Sequence, residues 1–215
     1  MYSLGAMKLT YHHGDLRAAL ITAATAEIER IGYENLSLRE LAESLGVSRA
    51  APYRHFADRS ALLAALAAGG FDELAAIYRK AGGSGKTPQL RLAASGRAYL
   101  AFAEQRPQLF RLMFASDLFN ARPPDPALTT AAGACYQVFE SLVAATLDNP
   151  DDNTVKAVTI ALMSTSYGFA LLRMGDRLRP FMVGQLTPGE LVDAVLSIEV
   201  TALPRAAGRK RRKDV

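Results

Sequence analysis

Residues 37–56 read SLRELAESLGVSRAAPYRHF, and the order of their helix signals decides the fold class. Ser37 and Glu40 stand in the S-x-x-E spacing of a capping box, and Leu36 and Leu41 occupy the two hydrophobic-staple positions. The helix that starts there is expected to bury Leu38, Leu41 and Leu45 and to stop at Gly46. Ser48 caps a second helix predicted to run to His55. Two short helices joined by Leu45-Gly46-Val47 make the brief, glycine-containing turn of a helix-turn-helix. Pro52 falls at the fourth position of the second helix, where it removes only the first internal hydrogen bond and predicts a loosened or 3-10-like leading turn.

A helix that reads DNA needs small residues where backbone meets base edges and forked or hydroxyl donors beside them. The segment Ser48 to Phe56 offers both. Ala50 and Ala51 leave little bulk, Arg49 and Arg54 supply guanidinium forks, Tyr53 supplies a hydroxyl for a phosphate, and Phe56 suits an anchor in the core. Arg59 stands beside Asp58, the cap of the next helix, whose free N–H groups form a natural phosphate-binding end. The first 60 residues carry as many acids as bases, so affinity must come from the placement of a few side chains and from doubling the site in a dimer.

From Tyr11 to Leu63, the stretches YHHGDLRAAL, SLRELAESLGVSRAAPYRHF and ADRSALL resemble the N-terminal DNA-binding domain of the TetR/AcrR family. The resemblance implies that Ser48, Arg49, Ala50 and Tyr53 face DNA on the recognition helix, with His55 at its end and Arg59 at a phosphate-clamping position. Ser37 and Arg54 complete the expected DNA-binding set. It also implies an all-helical C-terminal domain that dimerises and holds a ligand pocket. The run MSTSYGFALL, 163–172, is similar to a family helix that often carries a tryptophan and a His-Gly pair; here Met163 and Tyr167 take the Trp and His places and Gly168 matches.

Outward from the motif the chain reads as all-α. Leu16, Leu20, Ala24, Ile28 and Ile31 mark a first helix over 15–31, ended by Gly32. A longer helix follows Asp58, with Gly69-Gly70 as a weak point where it is expected to bend. Gly82-Gly83-Ser84-Gly85 reads as a joint. Further helices are predicted near 88–105, 107–116, 125–148, 152–174 and 188–203, with prolines at or near their starts. The resulting division is a three-helix DNA-binding unit over 11–60 with a connecting helix to about 81, an effector-binding and dimerisation unit over 86–204, and a basic tail over 205–215.

Composition excludes several classes. The net charge of +4 arises in the tail, which holds six basic residues; the rest of the chain is close to neutral. No uninterrupted apolar run of about 20 residues is evident, and MYSLGAMKLT does not resemble a secretory signal, so a cytoplasmic protein with no membrane partner is expected. Cys135 is the single cysteine and forms no intrachain disulfide. His12 and His13 precede a helix and do not share a face, and His55 is the remaining histidine, so no metal site, cofactor or catalytic histidine is expected.

Two features of the C-terminal unit suggest function. Aromatic residues at helical spacing predict a greasy pocket, with Phe102, Phe114, Phe139 and Tyr167 as candidate lining residues for a small hydrophobic effector. Ala157, Ala161, Ser164 and Gly168 form a small-residue stripe, and Leu191, Val195, Ile198 and Ala202 line one side of the last helix; together they predict a four-helix homodimer interface. The function expected is a dimeric transcription regulator, a repressor that binds double-stranded DNA at a pseudo-palindromic operator and is released by effector. A constitutive DNA-binding regulator without effector is the alternative. A small helical enzyme acting on hydrophobic substrates is disfavoured, because no nucleophile–histidine pair, phosphate loop or metal cluster supports it.

Overall fold

The computed structural model describes residues 15–201 and Leu203; His12, His13, Ala202 and the basic segment 205–215 lie outside the described residues. Among the described residues the fold is all-α: α1 (Leu16–Ile31), α2 (Leu38–Ser44), α3 (Arg59–Gly82), α4 (Pro88–Gln105), α5 (Pro107–Ala115), α6 (Pro126–Ala144), α7 (Asp152–Met174), the one-turn α8 (Pro180–Val183) and α9 (Pro188–Thr201). Short 3-10 turns occupy Tyr33–Asn35, Pro52–Arg54 and Asp117–Asn120.

The helix starts are fixed by local chemistry. Asp15, Ser37, Asp58, Thr87, Asp125 and Asp151 each accept a hydrogen bond from a first-turn N–H, satisfying a donor that the helix itself leaves free. Prolines stand at the first position of α4, α5, α6 and α8, where the missing N–H costs nothing. At α2 only the forward half of the expected capping box forms, Glu40 N–H to Ser37 Oγ at 3.4 Å. The reciprocal box closes at α9, where Thr187 N–H donates to Glu190 Oε2 at 2.8 Å and Glu190 N–H donates to Thr187 Oγ1 at 3.3 Å.

The long helix α3 is the axis of the molecule and packs against α4, α5 and α6. Its buried face includes Leu62, Leu66, Leu74 and Tyr78. The weak point at Gly69-Gly70 does not interrupt the helix, which runs from Arg59 to Gly82. Gly70 is there for contact, since a Cβ at that position would lie 2.5 Å from Met113 Sδ and 3.2 Å from Leu109 on α5. The absent side chain lets α5 press onto α3.

Helix α4 packs on α7 and α9, and α6 on α7, closing a helical layer around the second half of α3. Arg173 of α7 holds that layer together, bonding the Glu104 carboxylate of α4 and donating to the Pro188 carbonyl at 3.2 Å. Helices α3 and α7 are each long and apolar enough, by length and composition, to cross a membrane, although charged residues interrupt both, Asp72 in α3 and Lys156 in α7. In α3 that stretch is more than half buried within this fold, as a core helix requires.

Candidate nucleic-acid interface and cavity

The headpiece is α1, α2 and the segment up to Arg59. After α2 the chain turns at Gly46, whose φ of 67° suits a residue without Cβ, and Val47 N–H returns to Ala42 O at 3.0 Å. The segment 48–56 is not the α-helix expected. Ala51 N–H bonds to Ser48 O at 2.9 Å, Arg54 N–H to Ala51 O at 3.2 Å and His55 N–H to Pro52 O at 2.9 Å, with a 3-10 turn at Pro52–Arg54. The cause is Pro52. It has no N–H to give to the carbonyl of Ser48, so that oxygen takes the N–H of Ala51 and the turn tightens, with an α-type bond returning at its end, where Phe56 N–H reaches Pro52 O at 3.0 Å.

This segment nonetheless presents the expected side chains outward. Ser48, Arg49, Ala50, Tyr53, Arg54 and His55 are exposed, Tyr53 at 54%, while Pro52 and Phe56 are buried as anchors. Arg17 of α1 stacks its guanidinium 5.3 Å above the Phe56 ring. Arg49 is engaged within the chain: its guanidinium lies 2.7 Å from Glu43, which Arg39 also approaches at 3.4 Å. The hydrogen bond from Arg49, then that from Arg39, holds the Glu43 carboxyl below its ordinary range.

Two expected contacts take other roles. Ser37 uses its hydroxyl to cap α2. Arg59, expected on a phosphate, turns inward: its Nε donates to Leu36 O at 2.8 Å, and one terminal nitrogen donates to Glu34 O at 2.8 Å and to Tyr33 O. Glu34 O and Leu36 O take no backbone N–H among the described residues, while Tyr33 O also accepts the Leu36 N–H at 3.3 Å, and the guanidinium fork bonds all three. Arg59 thereby fixes the start of α2 against the start of α3.

Between α3, α4, α5, α6 and α7 lies a cavity of about 350 Å³. Its walls are aromatic. Tyr78 stacks on Phe139 at 5.2 Å between centroids, and Phe114 meets Phe71 at 5.3 Å and Tyr167 at 6.1 Å. Leu74, Tyr99, Cys135, Tyr136, Met163 and Ser166 complete much of the lining. Of the residues expected there, Phe114, Phe139 and Tyr167 line the cavity, whereas Phe102 does not: it is buried in the core one turn beyond Tyr99. Phe71 and Tyr78 were missing from the expectation because they belong to α3, which the sequence assigns to the connecting helix.

Burial governs the chemistry of this lining. It pushes the Cys135 thiol up to about 12 and raises the Tyr78 and Tyr99 hydroxyls well above the ordinary range. Glu199 of α9 lies behind the lining, where its carboxylate accepts the Ser166 hydroxyl at 3.0 Å. Burial raises the Glu199 carboxyl, and the bond from Ser166 partly offsets this.

One helix joins the two regions. Glu29 of α1 accepts the N–H groups of Gln108 at 3.1 Å and Leu109 at 3.0 Å, capping the first turn of α5 from another helix. Arg106 lies between Glu29 and Glu73, at 3.8 and 3.5 Å. Phe114, at the far end of α5, is a cavity wall.

On α7, Ala157, Ala161 and Ser164 are exposed and Gly168 is half-buried; on α9, Leu191 and Val195 are half-buried and Ile198 is 66% exposed. Ser164 also borders the cavity.

Residues 20–66 match the family described as bacterial regulatory proteins, tetR family, and residues 92–197 match the tetracyclin repressor-like C-terminal domain. The chain belongs to the TetR family. A TetR-family chain is a transcriptional regulator, DNA-binding through its helix-turn-helix and ligand-responsive through its second domain. The solved structure of a protein with unknown function from Rhodococcus sp. RHA1 is 32% identical, with a TM-score of 0.76, covering 91% of this chain and 99% of that one. The FadR regulator of Bacillus subtilis, solved with stearoyl-CoA, shares the fold at 14% identity and a TM-score of 0.66, covering 87% and 99%. The HTH-type transcriptional activator FasR of Mycolicibacterium smegmatis is 28% identical over 127 residues, 59% of this chain and 58% of that protein, so the match spans little more than half of that relative.

Proposed function

We propose that the protein acts as a dimeric repressor that binds a pseudo-palindromic operator and releases it when a small hydrophobic effector fills the cavity. Residues 11–60 serve as the DNA-binding unit and 86–204 as the effector and dimerisation unit. In the headpiece Tyr53, Arg54 and Arg49 make the DNA contacts, with Ser48, Ala50 and His55 bordering them; Arg59 and Ser37 position the segment. The stripe of α7 and the outer side of α9 form the two-fold interface. Paired recognition segments then meet successive major grooves about 34–36 Å apart.

The observation that carries this reading is the route of α5. Its N-terminus hangs on Glu29 of the headpiece, its middle presses on Gly70, and Phe114 at its other end walls the cavity. An effector that moves Phe114 moves the support of α1, and with it the spacing of the paired segments. The switch operates because the effector prefers one arrangement energetically. Selection of bound fragments from a random DNA pool tests the function: an inverted repeat is the expected product, and recovery without symmetry overturns the dimeric reading. Glu29→Gln tests the route. Effector affinity should hold within about twofold while effector-driven release of DNA weakens by about five- to tenfold, a coupling change of ordinary size. Full release by this variant in a gel-shift titration places the coupling elsewhere.

A further inference from the structure

Taking the cavity as the effector site, we propose that its ligand is a hydrophobic amine, with the protonated nitrogen against the tyrosine faces and within reach of Glu199. Four observations converge. First, the Glu199 carboxylate is largely buried and is held by the Ser166 hydroxyl, itself a cavity wall, and among the described residues no cation pairs with it. A buried acid of this kind calls for a positive partner. Second, among the described residues no lysine, arginine or histidine lines the cavity, so a carboxylate or phosphate group would meet no counterion there and would face the charge of Glu199.

Third, Tyr78 and Tyr99 are each more than nine-tenths buried and face the cavity, and among the described residues their hydroxyls have no hydrogen-bond partner. Both rings feel the Glu199 charge. Fourth, the space beside them is walled by ring faces, with Tyr78 stacked on Phe139 and roughly parallel to Tyr99. Aromatic faces stabilise a desolvated cation, and do so most where water is excluded. A plain hydrocarbon would leave the carboxylate without a charged partner. An amine answers the carboxylate directly and the rings through their negative faces, while its apolar body covers Phe71, Leu74 and Phe114.

A matched series decides the point: 4-butylbenzylamine, 4-butylbenzyl alcohol and 4-butylbenzoate share a skeleton and differ in the charge of the head group. Calorimetric titration of the full chain should give about tenfold or tighter binding of the amine over the other two, as a desolvated ion pair with aromatic contact predicts. Glu199→Gln should remove that preference and leave the alcohol unchanged. Ser166→Ala, which only frees the carboxylate from its hydroxyl, should retain the preference and serves as the check if Glu199→Gln does not fold. Equal or tighter binding of the benzoate, the outcome an acyl-type effector would give, overturns the proposal, as does an amine preference that survives Glu199→Gln. Failure of all three to bind overturns the amine, and release of DNA by an unrelated lipophilic compound would then leave the effector site standing. Binding of the amine with no change in DNA affinity supports the ligand and overturns the effector role.

Discussion

The two ends of α3 are built to opposite requirements. At its start the chain folds in short turns, buries two anchors, Pro52 and Phe56, and leaves arginines and a tyrosine in solvent. Over its second half five helices converge on largely buried aromatic side chains that wall a cavity. The first region adds to a small packed core the short-range bonds of its turns and the longer reach of Arg59; the second is held mainly by packing between residues far apart. Perturbations should therefore separate cleanly: packing changes at the cavity end should cost stability, and side-chain changes at the headpiece should cost affinity alone.

Phe110 provides the largest break. It is fully buried, meets Tyr99 edge-on at 5.4 Å and contacts Phe114 at 4.9 Å. Phe110→Ala should lower unfolding free energy by roughly 3–5 kcal/mol, read from denaturant melts. A loss below that range would mean the cavity walls collapse to fill the gap. Tyr53→Ala provides the contrast at the other end: the melting temperature should stay the same and operator affinity should fall by about tenfold, the scale of one lost DNA contact. An unchanged gel shift would place the reading surface elsewhere.

Glu43→Gln sharpens the headpiece side. The carboxylate pairs with Arg49 and Arg39 and offsets their charge, so the variant should bind all DNA about two- to fivefold tighter, with a steeper dependence on salt. Weaker binding would show that the pair instead orients Arg49 for contact. The smallest signal is expected at Cys135. Because burial raises its folded thiol to about 12, the thiolate is scarce at pH 8 and native protein should resist iodoacetamide, while unfolded protein reacts readily. Rapid native alkylation would mean that the cavity opens freely to water.

The same contrast explains what was legible in the sequence. Helix starts were readable because Asp15, Ser37, Asp58 and Asp151 act within their own first turns. The helix-turn-helix followed from signals within the twenty residues 37–56, and the family from motifs spread over Tyr11 to Leu63. The extent of Pro52's effect was not readable, since a tight turn and a loosened helix share one pattern until Ser48 O chooses its donor. Arg59 was misjudged because its carbonyl partners lie more than twenty residues back, on a turn that has no strong sequence signature. Three of the four expected cavity walls were placed by aromatic spacing alone. Tyr78, Phe71, Ser166 and Glu199 required knowledge of how α3, α7 and α9 come together, which periodicity within one helix does not carry.

The bond between Glu29 and α5 also orders events during synthesis. Its partners lie 79 and 80 residues downstream, so a nascent chain has already made its DNA-reading segment while the carboxylate that will steady it still faces water. A ribosome stalled in α4 would hold a headpiece with an unfilled mooring. The headpiece is manufactured first, and gains this tie to the second half of the chain only when α5 emerges.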